Sequence, residues 1–219
     1  MKNRTKTITP AIFFISLFVV LIGEFVVLSV RYYSSYPAIV VLGLERLFLV
    51  LLLLIIIYLS KQGRSVFGLH RSTIVTGIKR GLLWSAYCGL AALVSFSVLY
   101  AVHISPLTLI QTSLPSGFQN LVIFFAVGGV IAPIAEEIFF RGIVYGFLRK
   151  WGVIMAIIGT TAIFVAAHSL RAGVPLPQIV GGVLFAIAYE VEDNILVPII
   201  IHVLGNSAIF GLCLMGNVS

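Results

Sequence analysis

The stretch "IVVLGLERLFLVLLLLIIIYL", Ile39 to Leu59, holds only two charged residues, Glu45 and Arg46, in an otherwise apolar run. About 20 apolar residues wound as a helix cover the roughly 30 Å hydrocarbon core of a bilayer, so this stretch reads as a transmembrane helix. Six further segments read the same way: Ala11–Val30, Leu82–Val102, Asn120–Leu148, Gly152–Ala167, Gln178–Tyr189 and Ile195–Met215. The segment Gln178–Tyr189 is short, which suits a helix held inside a bundle better than one facing lipid. The expected fold class is therefore all-α, a polytopic transmembrane helical bundle of about seven spans, with residues 1–219 forming a single integral membrane domain.

Composition agrees. Hydrophobic residues make up 60% of the 219 and charged residues 10%, far from the balance of a water-soluble domain. A membrane β-barrel would show ten-residue alternating segments, and none is present. The formal net charge of +7 reads as membrane orientation and contact with anionic lipid headgroups, with no nucleic-acid role. Lys2, Arg4 and Lys6 precede the first span, Lys61, Arg64, Arg71, Lys79 and Arg80 lie between the second and third, and Arg149 and Lys150 follow the fourth. Connections on the other side hold only Arg31 and Arg171. The positive-inside rule then puts the N-terminus in the cytoplasm and, with seven spans, the C-terminus outside. Cys88 and Cys213 sit in separate apolar segments with no CxxC pair and read as inert thiols. The apolar run after "MKNRTKTITP" is too long for a signal peptide and reads as a retained first helix. The mixed segment "FGLHRSTIVTGIKRG", residues 67–81, is expected as a short interfacial helix or a basic loop.

Ionisable groups inside spans cost on the order of 3 kcal/mol each on insertion scales, so they face the bundle interior and mark function or pairing. Glu24, Glu45 and Arg46 have no other polar residue near them in sequence and read as structural or topological. The remaining five are Glu136, Glu137, Arg141, His168 and His202. Glu137 and Arg141 are four apart and share a helix face, so they can neutralise each other. Glu136 is rotated about 100° from Glu137, which leaves it free for chemistry. Pro133 just upstream removes a backbone donor and is expected to kink the helix, leaving room for water. The same i, i+4 spacing aligns Phe164 with His168 and His202 with Asn206. A carboxylate, two imidazoles and a carboxamide meeting in a low-dielectric pocket supply a base for water and donors for a developing oxyanion, which suits amide hydrolysis. His70 and His103 fall in connections and read as surface residues. Phe139 and Phe140 are expected to face lipid or pack in the bundle. Gly128, Gly129, Gly181 and Gly182 are expected to let helices approach closely.

"EEIFFR", "FVAAH" and "HVLGN" reproduce, in order, the EExxxR, FxxxH and HxxxN motifs. Over about residues 120–215 the chain thereby resembles the CPBP family of intramembrane proteases, which includes type II CAAX prenyl proteases and bacteriocin-processing, Abi-like relatives. The resemblance implies a CPBP/Abi-like catalytic core with Glu136 as the water-activating glutamate, His168 and His202 assisting, and Asn206 helping to hold the oxyanion. It assigns supporting roles to Glu137 and Arg141. Family members are described both as glutamate proteases and as metalloproteases. A divalent metal such as zinc would take Glu136, His168 and His202, but asparagine is a poor zinc ligand and no HExxH pair is present, so metal-free activation is preferred. With Asp193 the sole aspartate, an aspartyl dyad within one chain is impossible, and no G-x-S-G serine motif occurs.

The reading that follows is an intramembrane endopeptidase acting on a membrane-associated or membrane-anchored peptide or protein, in a prokaryotic cell membrane. Its competitors are a proton-coupled transporter, which would show internal pseudo-symmetry, and a non-catalytic scaffold, which would lose a motif residue. Neither sign is present.

Overall fold

The computed structural model describes residues 8–60, 67–69, 71–110, 112–168 and 175–216. Among the described residues seven long helices follow one another: α1 Pro10–Tyr33, α2 Ala38–Leu59, α3 Ile74–Ala101, α4 Phe118–Trp151, α5 Val153–His168, α6 Leu176–Glu192 and α7 Leu196–Gly216. No strand occurs among the described residues. Helices α1, α2, α3, α4 and α7 are long and apolar enough to cross a membrane, and α5 is a shorter apolar helix. All seven expected segments are thus helical, but two, α5 and α6, fall below spanning length. This is an integral membrane protein built as a polytopic helical bundle.

Local chemistry sets the boundaries. Thr9 caps α1 through its side-chain oxygen, which accepts from the Ile12 N–H, and Pro10 occupies the first turn, where no backbone donor is required. The Ser34 N–H and hydroxyl both close on the Val30 carbonyl at the far end. Between α4 and α5 the chain turns at Gly152, whose φ of 111° is open to glycine and strained for other residues.

Successive helices run antiparallel, and their connections gather at two ends. At one end the Ile8 N–H reaches the Gly146 carbonyl and the Ile195 N–H reaches the Phe67 carbonyl. Arg149 and the Tyr145 hydroxyl both bind Glu190 there, and the Trp84 indole N–H donates to Glu192 at 2.9 Å. At the other end the Cys213 thiol meets the Ile110 carbonyl.

One sequence expectation is corrected here, and one helix end is extended. Residues 74–81 form no separate interfacial helix; after a short 3-10 turn at Arg71–Thr73 they are the first two turns of α3, because Gly77 and Gly81 lie against Asn194 and Ile200 and extend the α3–α7 contact. Helix α6 runs on to Glu192 instead of stopping at Tyr189, since Glu190 and Glu192 find Arg149, Tyr145 and Trp84 as partners and need not leave the bundle. Glu24, Glu45 and Arg46 do gather. Arg46 bridges Glu45, 2.9 Å away on its own helix, and Glu24 on α1, so the three form one ion cluster that ties α1 to α2.

Helix α4 is the centre of the bundle. All eight residues Ile138–Tyr145 are buried, the mark of a helix surrounded on every side. Phe139 and Phe140 are therefore core residues with no lipid-facing role. Close approach uses three of the four glycines singled out: a Cβ on Gly128 or Gly129 would press on Phe210 or Ser207 of α7, and one on Gly182 would press on Thr161 of α5. Gly181 meets only the Phe185 ring of its own helix.

Candidate active site

Helix α4 does not run as a uniform α-helix. Val127–Ile131 and Ile138–Tyr145 are π-helical, and between them lies the α-helical turn Ala132–Glu137, with Pro133 near its start. Proline lacks the N–H that would continue the ladder, and wider π turns absorb the mismatch in place of a sharp kink. Glu136 and Glu137 close the α-helical turn between the two π segments and leave it about 100° apart.

Glu137 and Arg141 form the expected pair. Arg141 Nη1 donates to Glu137 Oε1 at 2.9 Å, and both side chains are wholly buried. Arg141 Nη2 also donates to the Gly182 carbonyl at 3.3 Å, and its guanidinium lies 4.8 Å from the Phe164 ring centre and 5.1 Å from that of Phe185. Phe164 thus packs on the arginine as well as on His168, whose ring centre is 4.4 Å away.

The same Glu137 oxygen has a second partner that spacing along one helix cannot reveal. His202 Nδ1 on α7 sits 2.8 Å from Glu137 Oε1, and the imidazole stacks on Phe185 with centroids 4.6 Å apart. His168 Nδ1 is 2.7 Å from the Phe164 carbonyl. A carbonyl only accepts, so His168 Nδ1 carries the proton, and the carboxylate of Glu137 requires the same of His202. Each ring then turns its Nε2 inward.

Both Nε2 atoms face Glu136. His168 Nε2 lies 3.7 Å and His202 Nε2 3.8 Å from Glu136 Oε2. These separations exceed a direct hydrogen bond and suit one small molecule bridging the three groups. Exposure divides the roles further: the Glu136 side chain is 17% exposed and that of His168 29%, whereas Glu137 and Arg141 are sealed. The reachable groups are Glu136 and the His168 imidazole, with the His202 ring buried behind them.

Asn206 lies one turn beyond His202 on α7. Its Nδ2 donates at 3.0 Å to the carbonyl of Gly128, within the first π segment. That bond leaves one N–H of the carboxamide uncommitted. The Gly128 carbonyl is a site feature that no motif announces, because only the π geometry turns it toward α7. His103 lies in an exposed turn after α3 with a φ of 61°, and His70 lies outside the described residues.

The two histidines and Glu136 are residue types that bind divalent metals. Holding each Nδ1 by an acceptor is how metal-binding histidines are usually oriented. Among the described residues, however, no group of three His, Cys, Asp or Glu side chains is arranged to hold a metal ion.

Fold and site together define a class: a polytopic helical membrane protein with a carboxylate–imidazole centre buried in its bundle. Residues 118–208 match the family model described as type II CAAX prenyl endopeptidase Rce1-like, in accord with the CPBP motifs. The match runs from the start of α4 into α7, takes in every site residue named above, and leaves α1 to α3 outside it. The coarse activity it supports is that of an intramembrane protease. No curated protein and no solved structure matches the chain.

Proposed function

We propose that the protein is an intramembrane endopeptidase in which Glu136 activates water to hydrolyse a peptide bond of a membrane-associated or membrane-anchored peptide or protein. The observation that carries this reading is the convergence of both histidine Nε2 atoms on Glu136 Oε2, at 3.7 and 3.8 Å. A water held among the three gives a proton to Glu136 as its oxygen bonds to the scissile carbonyl carbon. The carbonyl π electrons move to oxygen, and the resulting oxyanion is met by the free N–H of Asn206. Collapse of the tetrahedral species breaks the C–N bond, and the proton held by Glu136 passes to the leaving amine. His202 is kept in the useful tautomer by Glu137, and Glu137 is held in place by Arg141, so those two act as positioning residues.

Hydrolysis leaves a signature. Purified protein incubated with membrane-anchored peptides in H2 18O will generate new C-termini carrying one 18O, read by mass spectrometry. Intact peptides, with no labelled carboxylate after prolonged incubation, would rule out a hydrolase and favour a scaffold.

The basic end of the bundle, with Lys79, Arg80, Arg149 and Lys150, is proposed to face the cytoplasm. The exposed Ser113 lies at the opposite end, between α3 and α4. A Ser113→Cys protein in intact cells is expected to react with an impermeant maleimide. Reaction only after permeabilisation would invert the topology.

A further inference from the structure

Between α3 and α6 lies a cavity of about 440 Å³ that none of the site residues lines. Arg80, Trp84, Tyr87, Cys88 and Ala91 share one face of α3 and form its long wall, and Leu184 of α6 closes it. Its volume is within the range of small-molecule pockets. The wall is graded in polarity. Arg80 and Lys79 come just before the apolar run that starts at Leu82, so their charges lie at the level of lipid headgroups and the wall beyond them lies in hydrocarbon. From Arg80 to Ala91 the helix rises roughly 16 Å at 1.5 Å per residue, about half of the roughly 30 Å core, which is the depth of one leaflet.

The cation at the mouth is open to a ligand. The Arg80 side chain is 54% exposed, and its Nε is 3.7 Å from Glu192 Oε2, beyond hydrogen-bond length. The other Glu192 oxygen is held by the Trp84 indole N–H at 2.9 Å. Lys79 is exposed and stands one turn before Leu83, another lining residue, so the mouth carries two cations against the carboxylate of Glu192.

We infer that this cavity binds an anionic phospholipid, with the phosphate at Arg80 and Lys79 and one acyl chain along the α3 wall as far as Ala91. Charge selects the headgroup and depth selects the tail. The cavity also opens at the basic end of the bundle, the end proposed above to face the cytoplasm, and the cytoplasmic leaflet carries the anionic lipid. The bound chain lies behind the reaction centre: Trp84, Cys88 and Leu184 pack on the buried cluster of Phe185, Ala188, Val197 and Ile201, and Phe185 stacks on His202. Lipid binding here does not depend on proteolysis.

Trp84 can report on the cavity directly, because the chain has only two tryptophans and Trp151→Phe removes the other. The full-length Trp151→Phe protein is placed in phosphatidylcholine nanodiscs in which rising fractions of the lipid are replaced by acyl-brominated phosphatidylglycerol or acyl-brominated phosphatidylcholine, whose bromines quench an indole on contact. Half-maximal quenching is expected at about fivefold lower mole fraction of the phosphatidylglycerol, the effect of one basic residue near an anionic headgroup. Arg80→Gln will bring the two lipids to the same value. Ala91→Phe, which keeps every charge and fills the cavity from α3, will do so too. Lys150→Gln, at the same end but stacked on Phe147, will leave the preference unchanged. Equal quenching by the two brominated lipids, a preference that survives Arg80→Gln or Ala91→Phe, or an equal loss in Lys150→Gln would each overturn the site, the last by showing a diffuse basic surface in its place. The comparison of lipids in the Trp151→Phe protein stands alone if a further variant fails to fold.

Discussion

The Glu136→Gln protein will fold as the wild type does and will not cut. Glutamine keeps the size and the planar group of glutamate, so the largely buried position on α4 is still filled. What disappears is the basic oxygen that faces both imidazoles. A positioned general base contributes roughly 10² to 10⁴ in rate, and turnover of any membrane peptide that the wild type cleaves should fall by at least the lower figure. The comparison is made on purified proteins with the same substrate, with thermal melting measured alongside. Cleavage within tenfold of wild type, in a protein that melts normally, would remove Glu136 from the mechanism.

Arg141→Ala should fail in a different way. Its guanidinium is fully buried, bound to Glu137 and the Gly182 carbonyl and stacked between Phe164 and Phe185, so truncation leaves a buried carboxylate with one partner fewer and opens a cavity beneath two rings. Breaking a buried pair by removing one member costs on the order of 3 to 5 kcal/mol, enough to lower the melting temperature of the solubilised protein by several degrees and to reduce its yield. Removing both charges together, as Glu137→Leu with Arg141→Met, should restore much of that stability, since apolar replacements of a buried pair are often neutral. Cleavage will stay lost in the double variant because His202 Nδ1 no longer has its carboxylate and the ring is free to turn. A melting temperature for Arg141→Ala equal to that of wild type would show that the pair does not hold the bundle, and an active double variant would show that Glu137 does not orient His202.

The separation of these two outcomes was partly legible in the sequence. Spacing along one helix puts Glu137 and Arg141 on a common face and Glu136 off it, and that relation survives in the structure although the helix there is π-wound. His168 and His202 could be singled out because an ionisable group in an apolar span needs a reason. What spacing could not supply was any distance between helices. The bond from His202 to Glu137, the stacking of Phe185 on the imidazole and the Gly128 carbonyl that holds Asn206 all join residues far apart in the chain. Glu190 and Glu192 show the same limit in reverse: read along the chain they mark an acidic loop, yet partners on α3 and α4 draw them into the end of α6.

Membrane residence and the helical class were already set by the run of apolar residues, because a bilayer accepts only segments whose backbone donors and acceptors are satisfied internally, and that requirement acts on each segment alone. Which side chains meet at the bundle centre is a matter of how the segments pack. Apolar surface gives helices in lipid little preference for one partner over another, so the choice falls to shape and to a few buried polar groups. Here those are the glycines of α3, α4 and α6, the ion pair under Phe164 and Phe185, and the imidazole that reaches across from α7.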